Sequence, residues 1–159
     1  MVNKKSTSKK ILVIPDAHAK PDVPNTRFSI LAKATIDIKP DIIVCLGDWW
    51  DFESLSTFDV GKKSFEGRTY KADIESGLDA MDRFLSPISK TKLRPVKHFT
   101  MGNHEWRQHR AVDADRKLEG TIQSKDLQLE ALGWQVHNFK EIADVEGIGF
   151  IHYVPNGLM

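Results

Sequence analysis

The sequence holds a single cysteine, Cys45. One thiol forms no internal disulfide, so nothing calls for an oxidising compartment, and its place inside the apolar run IIVCL makes it a small buried hydrophobe. Long apolar runs are missing too. No stretch approaches the ~20 residues of a membrane span. The basic start MVNKKSTSKK is followed only by ILVIP, too brief for the apolar part of a secretory signal. There is little excess charge of either sign: 23 Lys and Arg against 22 Asp and Glu, a net +1. A global pull toward nucleic acid or membrane is therefore absent, although a local basic groove stays open. Internal repeats and low-complexity segments are lacking beyond the N-terminus. The expectation is a cytoplasmic protein with a flexible basic tail over 1–9 and one domain over 10–159, long enough to bury a core.

Against these absences stands an ordinary globular composition, 40% hydrophobic and 28% charged, arranged as alternating strands and helices. Ile11-Leu12-Val13-Ile14, ended by Pro15, reads as a buried strand. Asn25 or Thr26 caps a helix with Phe28, Leu31, Ala32 and Thr35/Ile36 on one face, stopped before Pro40. Residues 42–46 form the next strand, giving the length of a βαβ unit. The stretch 52–68 is an irregular surface loop. Helical spacing resumes over 71–86, where Ile74, Leu78, Met81 and Leu85 share a face. A third strand spans 96–101 and a helix 105–117. A further helix is predicted over 123–132, closed by Gly133, and short strands over 135–139 and 148–154.

Four apolar strands are each followed at once by polar side chains able to bind metal: Asp16 and His18 in ILVIPDAH, Asp48 and Asp51 in IIVCLGDWWD, Asn103, His104 and Glu105 in KHFTMGNHE, and His152 in GFIHY. In parallel α/β sheets the carboxyl ends of neighbouring strands share one edge, where ligands bind, so residues about 135 positions apart can meet. Gly47 and Gly102 fall where the backbone leaves its strand and must turn sharply or approach a ligand closely. Carboxylates, imidazoles and an amide oxygen suit two divalent transition metals, and a carboxylate such as Asp48 can bridge them. Paired metals generate a nucleophile from water and clamp a phosphoryl group. An all-oxygen set would instead favour magnesium or calcium.

Asp16-x-His18, Gly47-Asp48-x-x-Asp51 and Gly102-Asn103-His104-Glu105, in this order and each after a strand, resemble the motifs of the calcineurin-like metallophosphoesterases of phage and bacterial type. The resemblance runs from about Lys10 to the last residue. It implies an α/β fold, a four-layer αββα sandwich of two mixed sheets, with a dimetal site at one end of the sheets. It implies hydrolysis of phosphate mono- or diesters through a dimetal-bound hydroxide. Asp16 and His18 would hold the first ion, Asp48 would bridge, and Asn103 and His152 would hold the second. His104 would serve the leaving-group oxygen as a proton donor, oriented by Asp51. Manganese is the foremost cofactor, with iron, zinc, nickel and magnesium as alternatives.

Other residues carry two readings each. Asp16, Asp48 and Asn103 taken singly are turn residues, and a lone histidine such as His152 on a short strand is usually structural. Arg107, one helical turn past His104, reaches a substrate phosphate or is a surface arginine. Glu105 reads as an N-terminal helix residue favoured by the dipole rather than a ligand. His98, His109 and His137 match no motif. Trp49 and Trp50 pack in the core, or one lines the mouth of the site, where it would stack on a base. With Lys62, Lys63 and Arg68 they are the only pointers to a nucleotide or nucleic-acid substrate. The family's Gly-His-x-His motif has no counterpart, since the sequence contains no Gly-His dipeptide. The expectation is therefore a C-terminally incomplete domain, either truncated or completed by a second chain carrying that motif. The alternative is a catalytically incomplete scaffold acting as an interaction module.

Overall fold

The computed structural model describes residues 8–154. Most of the expected tail and the Pro-Asn-Gly turn at 155–157 lie outside the described residues. Strands β1 (Ile11–Ile14), β2 (Ile42–Cys45), β3 (Val96–Thr100) and β4 (Gln135–His137) form one sheet in sequence order, with all three pairings parallel. Strands β5 (Ala143–Val145) and β6 (Ile148–Phe150) make a separate antiparallel hairpin. Two sheets are present, as expected, but neither is mixed among the described residues.

Side-chain alternation along β2 assigns its two faces. Ile43 and Cys45 join the main core beneath helices α1 (Thr26–Ile38) and α2 (Tyr70–Ser89), whereas Ile42 and Val44 cluster with Ala143 and Val145 of the hairpin. Being buried on both faces explains why the strand reads as a continuous apolar run. Helix α1 buries Phe28, Ala32 and Thr35, the face its periodicity predicts. Asn25 occupies the N-cap without a capping hydrogen bond. Its amide instead donates to the Ser76 carbonyl (2.9 Å) and Asp79 Oδ2 (3.0 Å), tying α1 to α2.

Helix α2 is N-capped by Thr69, whose hydroxyl accepts from the Ala72 N–H. It continues past Pro87 to Ser89, beyond the predicted end, forgoing the one N–H bond that Pro87 cannot donate. Its glycine is required by packing. Gly77 is buried against the Trp50 indole, and a methyl there would overlap the ring. Trp49 Nε1 donates to the Gly77 carbonyl at 3.2 Å. Both tryptophans are fully buried. We expect Gly77→Ala to lower stability by about 1–3 kcal/mol through overpacking, despite roughly 1 kcal/mol of gained helix propensity. Chemical denaturation reads this as a lower midpoint; an unchanged midpoint would mean the indole moves aside freely.

Two elements differ from expectation. The predicted helix over 123–132 is only a 3-10 turn, Ser124–Leu127, ended by Gln128 in the left-handed region (φ 54°). Gln123 and Asp126 form a reciprocal capping box there, which starts a turn as readily as a helix. The predicted 148–154 strand shortens to Ile148–Phe150 and turns out to be half of the β5–β6 hairpin. Glu146 (φ 55°) and Gly147 (φ 79°) supply the two positive φ angles of a tight two-residue turn.

Candidate metal centre

All three parallel strands that carry motifs end at the same sheet edge, and the chain beyond them is laced together. The N–H groups of Ala17 and His18 both donate to the Asp48 carbonyl (3.1 and 2.9 Å), Ala19 N–H to Trp49 (2.7 Å), and Asp51 N–H back to Ala19 (3.0 Å). Three residues in these loops, His18 (φ 46°), Asp48 (φ 48°) and Phe52 (φ 49°), adopt the left-handed conformation. For a bulky residue such as Phe52 this is costly, and such strain clusters where surrounding structure dictates a functional geometry. Gly47 (φ 89°) and Gly102 lie back to back; a Cβ on Gly102 would collide with the Asp48 carboxylate. The two glycines therefore serve the close approach their positions suggest.

The fastening residue is Glu105, which the sequence reading assigned only to a helix start. It is 1% exposed and lies just before helix α3 (Trp106–Ala114). Its Oε2 accepts from the N–H groups of Asp48 (2.8 Å) and Gly102 (2.9 Å), its Oε1 from those of Trp49 (2.8 Å) and Trp50 (3.1 Å). One carboxylate thus clasps the loops after β2 and β3. Burial and the charge of Asp48 push its carboxyl up to about 7, while the backbone donors pull the other way. Every neighbouring group on its oxygens is a donor, so a proton could be added only by breaking one of these bonds.

On this frame the seven expected ligand and catalytic residues converge in two groups. Asp16, Asp48 and His152 present ligand atoms within 4.8 Å of one another, and so do His18, Asp51 and His104. Asn103 joins the first group, its Oδ1 lying 2.9 Å from His152 Nε2. His152 Nδ1 faces the Leu46 carbonyl at 2.6 Å and Asp16 at 3.7 Å. The hydrogen bond His152 gives to the Asp48 carboxylate leads the causes that raise the His152 pKa to about 9. Asp48 stands between the groups. Its Oδ1 accepts from the His104 N–H (2.9 Å), and its Oδ2 lies 3.4 Å from His152 Nε2 and 3.7 Å from His104 Nε2. Burial opposes ionisation of Asp48, but its contacts with both histidines outweigh this and lower its pKa.

In the second group His104 Nδ1 lies 3.0 Å from Asp51 Oδ1 and 2.6 Å from the Asp51 carbonyl. Burial disfavours the imidazolium, yet Asp51 and Asp48 prevail and raise its pKa. His18 contacts Asp51 at 3.5 Å and meets the His104 ring edge-on, with centroids 4.7 Å apart. Lys20, which sequence reasoning missed, lies 3.7 Å from Asp51 Oδ2 and donates to Glu53 at 3.0 Å. Arg107 is anchored by the carbonyls of Asp51 (2.8 Å) and Phe52 (3.2 Å), with its NH2 3.3 Å from His104 Nε2.

Of the residues that had suggested nucleic acid, Trp49 and Trp50 are fully buried and line no mouth. In the long loop, Arg68 and Lys62 pair with Asp59 at 2.9 and 2.8 Å. A cavity of about 770 Å³ lies at the opposite end of the sheet, where Ser86 and Ser89 of α2 face Val96 and Lys97 of β3. It contains none of the convergent polar residues, and the chemistry of the strand ends outweighs its size.

Carboxylates, imidazoles and a carboxamide oxygen aimed at shared points form a donor set that fits divalent metal ions. The two groups together define a candidate metal centre. The sequence model of the calcineurin-like phosphoesterase family matches residues 9–156, and the chain belongs to that family. No curated protein and no solved structure matches it. No helix among the described residues is long and apolar enough to cross a membrane.

Proposed function

We propose that the chain is a phosphoesterase that hydrolyses a phosphate mono- or diester with two divalent cations, manganese foremost. The observation that carries this reading is the Asp48 carboxylate, fixed through its own N–H and Oδ1: it groups with Asp16 and His152, and its Oδ2 lies 3.7 Å from His104 of the other group. Asp16, His18, Asn103 and His152 would hold the ions, with Asp48 common to both. When bound, such ions supply an activated water and neutralise charge on the phosphoryl oxygens.

The chain's own residues supply the rest. With Nδ1 turned to Asp51, His104 carries its transferable proton on Nε2 and gives it to the leaving-group oxygen. Asp51 orients the ring and favours its protonated form. Arg107, held by two loop carbonyls, places its guanidinium beside His104 to bind a non-bridging phosphate oxygen. The four layers of the family fold would form around this same edge.

Turnover of p-nitrophenyl phosphate and bis-p-nitrophenyl phosphate tests the reading, with and without manganese. Metal-dependent release of nitrophenol is expected, and chelation should abolish it. In Asp48→Asn, manganese binding measured by calorimetry should weaken at least tenfold, roughly what loss of a ligand or its support costs. Undiminished metal binding in that variant would remove Asp48 from the centre.

A further inference from the structure

Along the rim of the site runs a row of rings that no motif accounts for. His109 and Trp106 of α3 stack with centroids 4.1 Å apart and planes 8° from parallel. Trp106 and Phe139 follow at 5.5 Å and 27°, then Phe139 and Tyr153 at 6.4 Å. These residues come from three separate segments, each next to the site. Trp106 lies two residues after His104, Tyr153 directly follows His152, and Phe139 comes just after the carboxyl end of β4. The row is not simply core. Tyr153 is 46% exposed, His109 is exposed, and Trp106 and Phe139 are only partly buried.

Charge accompanies the rings. Arg110, one turn beyond Arg107 on α3, is exposed, and Lys140 places its ammonium 5.4 Å from the Phe139 ring centre. Half-exposed aromatic rings alternating with cations are how proteins hold unpaired bases beside their phosphates, because every base has a stacking face. Surface rings without such a partner would leave apolar area in water beside a polar centre.

We propose that Tyr153, the open end of this row with Phe139 and Trp106 ranked behind it, presents a stacking face to the nucleobase of the substrate, which is a nucleotide or the end of a single-stranded nucleic acid. The proposal rests on the phosphoesterase reading above for the position of the phosphate, but its test does not require turnover. Fluorescence anisotropy in EDTA at fixed low salt would compare a labelled ten-residue oligothymidylate with an abasic decamer of equal charge. The thymidylate should bind at least roughly fivefold more tightly, the scale of one stacked base. Tyr153→Ala should remove most of that preference while leaving the abasic decamer unaffected. Tyr153→Trp should retain it, and circular dichroism should show all variants folded.

Competition with thymidine monophosphate identifies the source. Displacement supports a mononucleotide, and its absence supports a strand end. Equal binding of the two decamers, no binding of either, or an unchanged preference in folded Tyr153→Ala would overturn the platform. Loss of nitrophenyl phosphate turnover with the base preference intact would instead count against the phosphoesterase reading alone.

Discussion

Glu105→Gln is expected to lose roughly 2–6 kcal/mol of folding stability, as two buried N–H donors lose their acceptor at about 1–3 kcal/mol each. The carboxylate accepts four backbone N–H groups, two on each oxygen. An amide of the same shape keeps one oxygen and turns an NH₂ toward the other pair of donors. Total stability for a domain of this size is about 5–15 kcal/mol, so the Gln variant should fold with a much lower denaturation midpoint. Glu105→Ala, which orphans all four donors, should not fold. Purely structural damage would leave metal affinity alone in whatever remains folded. Because Glu105 holds the backbone of Asp48, we expect manganese affinity of folded Glu105→Gln to fall about 10–100-fold as well. Wild-type midpoint and affinity in that variant would show that the clasp contributes neither stability nor positioning.

The contrast between Glu105 and its neighbours shows what this sequence makes legible. Asp16, His18, Asp48, Asn103 and His104 are readable because each follows an apolar run at once, and parallel topology brings those run ends together. Their convergence needs only strand order. The role of Glu105 depends on where the N–H groups of residues 48–50 point, and that direction is set by the left-handed backbone of Asp48. No periodicity reports such a conformation. A buried carboxylate inside a strand-end motif was the available signal, and helix-dipole chemistry offered a sufficient local explanation that concealed it.

The fold divides in the same way. Strands β1 to β3 and helices α1 and α2 are specified by apolar spacing, since burial of a fixed face drives their formation more than any other effect. The 123–132 segment has helical spacing, but its buried anchors Leu127 and Leu129 are two residues apart, off any single helical face, and Gln128 between them leaves the helical region. The β5–β6 hairpin was half hidden because β5 is three residues long and its turn is Glu-Gly, a weaker signal than Asn-Gly. The tryptophan pair shows the limit of composition. Adjacent indoles suggested a recognition surface, yet each finds a carbonyl on α2 within hydrogen-bond reach, at Gly77 (3.2 Å) and Ile74 (3.5 Å). That satisfaction of both N–H groups is what lets both rings be core.

The largest effect on chemistry should come from His104, and the leaving group decides its size. General acid catalysis is worth about 10²–10⁴-fold when the departing oxygen must be protonated. Nitrophenolate leaves without a proton, whereas an alkoxide does not. His104→Ala should therefore lose about 10²–10⁴-fold in kcat on an alkyl phosphate, on the scale of that contribution, and far less on p-nitrophenyl phosphate. Equal losses on both esters would mean that the ring positions substrate and does not donate a proton. Asp51→Asn separates orientation from charge. His104 Nδ1 has two acceptors on Asp51, the carboxylate at 3.0 Å and the backbone carbonyl at 2.6 Å. The carbonyl survives the substitution and keeps the proton on Nδ1 with Nε2 toward the site. Asp51→Asn should accordingly cost less than His104→Ala on the alkyl ester, because it removes only the charge that favours the imidazolium. A loss in Asp51→Asn as large as that in His104→Ala would transfer the controlling role from the carbonyl to the carboxylate.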